Sequence, residues 1–214
     1  MNTESKVSER YAQGAKEVEP SLCCPVEYDV GLLELLPREI IDKDYGCGDP
    51  SRYVKTGDTV LDLGSGGGKI CYMAAQLVGD NGHVIGVDMT DEMLALARKY
   101  QAEMAQKLGA DKVSFRKGYI QDLALNLEAR EAFLAQNPGI DSSDPAALSA
   151  WENKQKESSP LVADASVDIV VSNCVLNLVD KSDRQKMIEE IFRVLKPGGR
   201  VAISDIVADE PIPA

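Results

Sequence analysis

An apolar strand that runs straight into a five-residue loop with four glycines is the tightest constraint in this chain. Thr59-Val-Leu-Asp-Leu63 reads as a buried strand, and Gly64-Ser-Gly-Gly-Gly68 ends it. Ile70, Met73, Ala74, Leu77 and Val78 then recur at i, i+3, i+4, i+7 and i+8, one face of a helix that Gly79 closes. Strand, glycine turn and helix in that order open a βαβ unit and call for a parallel sheet. The rhythm continues downstream. His83-Val-Ile-Gly-Val87 is a second strand, and Met93, Ala97, Tyr100, Met104 and Leu108 lay a stripe along one helix ended by Gly109. Val113 and Phe115 alternate with polar neighbours, as an edge strand should. Val167–Ser172 makes a fourth strand, Met187, Ile188, Ile191, Phe192 and Leu195 a helix face, and Arg200–Ser204 a fifth strand. The expected class is α/β with a doubly wound parallel sheet.

Two stretches break the rhythm. Residues 1–50 form an N-terminal arm ahead of the first strand, with three of the five cysteines: Cys23, Cys24 and Cys47. The remainder, 51–214, is the core, and within it 123–163 stands where a short connection is normal. In that insertion Leu123–Phe133 is expected to be helical, Gln136–Pro145 a loop, and the surroundings of Trp151 a short helix.

Charge narrows the partners. With 23 basic and 35 acidic residues the net charge is −12, which argues against a general grip on nucleic acid or on anionic lipid. No apolar run approaches the roughly 18 residues of a membrane span, and the first twenty residues are polar rather than a signal peptide. A cytoplasmic protein without membrane partners is expected. Five cysteines, odd in number and irregularly spaced, read as cytosolic thiols rather than as a disulfide framework. The single histidine, His83, begins the second strand, far from the sheet's carboxyl edge, and is expected at the surface.

The glycine loop excludes two common readings. Lys69 follows a glycine as in a phosphate-binding Walker loop, but Ile70 replaces Ser or Thr, and Leu63 stands where the first glycine belongs. The dinucleotide pattern G-x-G-x-x-G would need its third glycine at Lys69. What remains is G-x-G-x-G at Gly64, Gly66 and Gly68, preceded by Asp62, and this resembles the first motif of S-adenosylmethionine-dependent methyltransferases. The ligand of such a loop has no phosphate to cradle; it offers an amino group, a carboxylate, a sulfonium and a ribose. Gly64, Ser65, Gly66 and Gly68 are the loop positions expected against it. Asp88 ends the second strand, 26 residues after Asp62, where a carboxylate can accept from both ribose hydroxyls. Met89 is expected to wall the adenine, and the methyltransferase resemblance implies that Tyr119 and Ile120, after the third strand, lie against the same ring.

The cysteine contexts sharpen the resemblance. Tyr45-Gly-Cys-Gly48, Val60-Leu-Asp-Leu-Gly-Ser-Gly66, Gly86-Val-Asp-Met-Thr90, Ser172-Asn-Cys-Val-Leu-Asn-Leu-Val179 and Leu195-Lys-Pro-Gly-Gly-Arg200 together resemble arsenite S-adenosylmethionine methyltransferases. That resemblance implies a Rossmann-like class I core with strand order 3-2-1-4-5. It implies that Cys47 and Cys174 are arsenic thiolates and that Cys23 or Cys24 takes part in thiol exchange or arsenic binding. It also implies that Tyr45, Asp62, Gly64, Asp88, Met89, Ile120 and Asn173 contact the cofactor, S-adenosylmethionine. A metalloid substrate and a thiol reductant such as glutathione or thioredoxin follow as partners. The family carries a further arsenic cysteine, more strands and another domain beyond the fifth strand, so the 214 residues are expected to be the N-terminal part of a longer protein. Two other readings stand beside this one: methylation of an organic small molecule on O, N or C, and a thiol-based metalloid binder without turnover.

Overall fold

A computed structural model describes residues 3–19 and 26–207, so Cys23 and Cys24 lie outside the described residues. Five parallel strands form one sheet in the order β3-β2-β1-β4-β5, as expected. They are β1 (Thr59–Leu63), β2 (His83–Asp88), β3 (Val113–Lys117), β4 (Val167–Asn173) and β5 (Leu195–Ser204). The three central strands carry apolar side chains on both faces, as strands covered on both sides must. Val60, Val84, Ile169 and Val171 point to one layer, with Tyr72, Met73 and Met104. Leu61, Leu63, Ile85, Val87 and Val170 point to the other, with Leu123, Met187 and Ile191. The register sets Leu63 beside Val87 and Ser172, Asp88 beside Lys117, and Asn173 beside Ser204. The carboxyl ends of the strands therefore share one edge. The strand order reverses between β1 and β4, where ligands of open α/β sheets bind.

The arm carries α1 (Thr3–Lys16), α2 (Val30–Leu33) and α3 (Arg38–Asp42), and a 3-10 turn at Pro50–Tyr53 leads from it into the core. After β1 come α4 (Lys69–Leu77), α5 (Asp91–Lys99) and α6 (Gln101–Leu108). The single helix expected over the 93–108 stripe is thus two. Tyr100 leaves helical geometry at φ −101°, ψ 1°, and its hydroxyl reaches Glu39 of α3. The apolar stripe runs unbroken across the bend, so periodicity alone could not reveal it.

The insertion is more helical than its composition suggests, with α7 (Leu127–Gln136), α8 (Ile140–Ser143) and α9 (Pro145–Ser158). The stretch expected to be a loop contains a helix start. The Asp144 carboxylate accepts from the Ala147 N–H, and Pro145 occupies the first helical position, which suits its fixed φ. Phe133 and Trp151 stack at 4.4 Å and fasten α7 to α9. On α10 (Arg184–Val194), Met187, Ile191 and Val194 are buried, but Ile188 and Phe192 of the expected core stripe are exposed, at 54% and 82%. His83 is half-buried rather than at the surface, its Nε2 3.0 Å from Ser114 Oγ; burial, then the Arg116 charge, holds it below the ordinary histidine range. Among the described residues no helix is long and apolar enough to cross a membrane.

Candidate active site

A cleft of about 930 Å³, open mouth included, lies over the carboxyl ends of β1, β2 and β4. Its floor is the loop after β1. The Gly64 and Ser65 N–H groups donate to Val87 O at 2.8 and 3.0 Å, which folds the loop back over the sheet. Gly64 has φ +69°, and a Cβ there would stand 2.5 Å from Val175, so only glycine fits. Gly66 N–H donates to Asp88 Oδ2 at 2.9 Å while Thr90 N–H donates to Asp88 Oδ1 at 2.8 Å. One carboxylate thus holds the loop and still keeps lone pairs on both oxygens for a ligand.

Asp62, Gly64, Ser65, Gly66, Asp88, Met89, Ile120, Tyr45, Asn173 and Cys174 all line the cleft. Three expected residues do not. Gly68, at φ +88°, turns the chain into α4, and a Cβ there would meet Phe115 at 2.8 Å; it is a packing glycine. Tyr119 is bridged to Asp122 by its backbone and lies off the lining. Cys47 lines a second groove instead, with Arg52 and Tyr53.

Burial dominates the electrostatics. Asp62, 2% exposed, is pushed up to about 7, chiefly by desolvation. The Asp88 and Asp44 charges push the same way, and a hydrogen bond from Cys71 Sγ at 3.3 Å pulls back. Cys71 is buried, as the sequence suggests, and desolvation with the Asp62 charge beside it keeps it a thiol. Asp88 is raised by burial too, opposed by the N–H groups it accepts from. Ser65 Oγ is buried without a hydrogen-bond partner. Two carboxyls short of counter-charge and an unmatched hydroxyl sit among Val7, Ile70, Met93 and Leu178. That donor set fits a ligand with cationic and hydroxyl groups on an apolar body, which is the chemistry of S-adenosylmethionine.

The arm completes the walls. Val7 and Tyr11 of α1 face the cleft, and Tyr11 meets Tyr45 edge-on at 6.1 Å. Tyr45 is buried, its hydroxyl donating to Gly14 O at 2.9 Å. Cys47 and Cys174 are joined by a disulfide, with Cα atoms 5.7 Å apart. This corrects the expectation of thiols only. Two cysteines 127 residues apart in sequence are brought together because Cys174 immediately follows β4 and the Cys47 segment of the arm is hydrogen-bonded to Asn173 at the end of that strand. Cys174 has φ +59°, rare for a non-glycine residue, and its N–H donates to Ser204 O at 2.8 Å. The glycines flanking Cys47 allow close packing: a Cβ on Gly46 would collide with the Asn173 amide, and one on Gly48 with Ser204. The α1 wall escapes a reading for strands, although Val7, Tyr11 and Ala15 at four-residue spacing carry its signal.

The sheet order, the glycine loop with its two carboxyls and the cleft above them define a class I S-adenosylmethionine-dependent methyltransferase domain. Two models of the family described as "Methyltransferase domain" match residues 54–134 and 129–203. The arsenite methyltransferase of Aquipseudomonas alcaligenes is 37% identical over 201 residues, 92% of this chain and 48% of that protein. That of Halobacterium salinarum is 41% identical over 174 residues, 80% of this chain and 34% of that protein. The crystal structure of an arsenic(III) S-adenosylmethionine methyltransferase from Chlamydomonas reinhardtii superimposes with a TM-score of 0.64 at 32% identity, covering 88% of this chain and 52% of that one. Over 80–92% of its length the chain is similar to these arsenite methyltransferases. It spans about half, or less, of the length of these relatives.

Proposed function

We propose that this chain binds S-adenosylmethionine in the cleft and presents trivalent arsenic on Cys47 and Cys174 for methyl transfer. The observation that carries the reading is that Cys174, on the cleft wall, is bonded through sulfur to Cys47 of the arm. The cofactor supplies an electrophilic methyl group on a sulfonium. Asp62 and Asp88 are the residues to face its cationic and hydroxyl groups, and Met89 and Ile120 the apolar ones to flank its base. The two cysteines, once reduced, offer a soft pair of thiolates, and trivalent arsenic prefers such ligands. Its lone pair is the nucleophile, so the protein's task is positioning and exclusion of water rather than general base catalysis. The absence of histidine from the cleft agrees with that.

Reduction of the disulfide consumes two thiols and releases their disulfide, so a glutathione- or thioredoxin-type reductant belongs to the scheme, and a reducing, cytoplasmic setting suits it. The acidic balance of the chain supports a small ligand over a nucleic acid. The arm at 1–50, the core at 51–214 and the insertion at 123–163 remain the proposed division. Arsenite, glutathione and methyl-labelled cofactor, incubated with the chain, test the reading: label on arsenic is expected. Label transfer to catechols or quinols, with none to arsenic, would overturn it.

A further inference from the structure

Lys69, directly after the glycine loop, does not line the cleft. It is the first residue of α4, only 5% exposed, and stands where the helix dipole disfavours a cation. A buried ammonium there needs compensation from elsewhere. Two partners come from the arm: Nζ is 2.9 Å from Asp44 Oδ2 and 3.4 Å from the centre of the Tyr28 ring. The Tyr28 hydroxyl donates to the same Asp44 oxygen at 3.0 Å, and Asn173 Nδ2 donates to the Tyr28 hydroxyl at 3.5 Å. Asn173 in turn accepts from the N–H groups of Cys47 and Gly48 at 2.9 Å each. Desolvation and the Asp44 charge hold the Tyr28 phenol well above its ordinary range, so it stays a donor.

We propose that Lys69, acting through Asp44 and Tyr28, is a positioning residue that holds the Cys47 segment of the arm against Cys174. Asp44 is three residues before Cys47, so release at Asp44 leaves the Asn173 hydrogen bonds to hold the cysteine segment unaided. The charge matters as well as the bulk, because an aromatic face and a carboxylate both select a cation. The inference concerns the thiol pair of the proposed arsenic site, but its test involves neither arsenic nor cofactor, so either reading can fail alone.

The test is the equilibrium of the full chain with glutathione: the Cys47–Cys174 disulfide and two glutathione thiols exchange for two protein thiols and glutathione disulfide. Mass spectrometry of alkylated peptides follows this pair separately from Cys23, Cys24 and Cys71. Lys69→Met should shift the equilibrium at least tenfold toward the dithiol, while Lys69→Arg stays within threefold of the parent. Tyr28→Phe keeps the ring under Nζ and removes only the hydroxyl, and it should shift the same way by threefold or more. It decides the matter if Lys69→Met does not fold. An unchanged equilibrium in Lys69→Met, an Arg variant as impaired as the Met variant, or no shift in Tyr28→Phe overturns the proposal.

Discussion

Asn173 Oδ1 accepts the backbone N–H of Cys47 at 2.9 Å, a bond across 126 residues that ties the arm to the carboxyl end of β4. The same oxygen takes the Gly48 N–H, and the Asn173 amide nitrogen donates to Gly48 O at 2.7 Å. One side chain thus satisfies three backbone groups of a segment outside any sheet. Asn173 is expected from family resemblance as a cofactor contact, and it does line the cleft. Its hydrogen bonds, however, go to the cysteine segment. Asn173→Ala should cost about 2 kcal/mol through the donors left unmatched and lower the midpoint of urea unfolding. A loss under about 0.5 kcal/mol, the scale of an ordinary surface substitution, would mean that water replaces the side chain.

Asp88 has a double duty that a ribose contact alone does not imply. Its two oxygens hold Gly66 and Thr90 N–H, so removing it loosens the glycine loop as well as the ligand. Asp88→Ala should weaken S-adenosylmethionine binding at least tenfold by calorimetry, since each charge-assisted hydrogen bond is worth about 1.5–3 kcal/mol. Unaltered affinity in this variant would remove Asp88 from the site. NAD is expected not to bind at all, the third glycine of its pattern being Lys69.

What could be read ahead of the structure was local. β1, its glycine turn and α4 follow from patterns spanning a few residues, and an apolar run bounded by turn chemistry needs no tertiary knowledge. The loop residues that face the cleft were harder. Gly68 differs from Gly66 only because Phe115, from another strand, packs where its Cβ would be. At its bend Tyr100 bonds Glu39, sixty-one residues away, and Lys69 pairs with Asp44, twenty-five away. Such pairings leave no periodic trace. The nearness of Cys47 to Cys174 came from family likeness rather than from spacing. The exposure of Ile188 and Phe192 contradicts a helix stripe that counted apolar residues without knowing how wide the covered face is.

The disulfide sets a condition on any metalloid experiment. Cys47 and Cys174 must first be reduced, after which trivalent arsenic should protect both from alkylation. Cys71 is the internal control: it is fully buried and bonded to Asp62, so its slow labelling should not respond to arsenic. Peptide mass spectrometry after brief exposure to iodoacetamide reads all three. Equal labelling of Cys47 and Cys174 with and without arsenic would return the weight to an organic substrate.

Asp62 gives the last expectation, and its sign is the reverse of a salt-bridged carboxylate. Its carboxyl titrates at about 7 in the folded chain against an ordinary 3.8, so between these values the folded state holds a proton that the unfolded state has lost. Stability of the ligand-free protein should therefore fall as pH rises from about 4 through 7, by on the order of 4 kcal/mol from this group. Asp62→Asn should flatten that slope and raise stability at pH 8. A cationic ligand prefers the carboxylate, so S-adenosylmethionine should bind more tightly as pH rises through about 7. Near pH 6.5 binding should expel a fraction of a proton, which calorimetry detects as a heat that varies with the ionisation enthalpy of the buffer. The Asn variant should lose both the affinity and the proton release. Proton release that persists in Asp62→Asn would assign the titration to another group, with Asp88, also raised by burial, the next to be substituted.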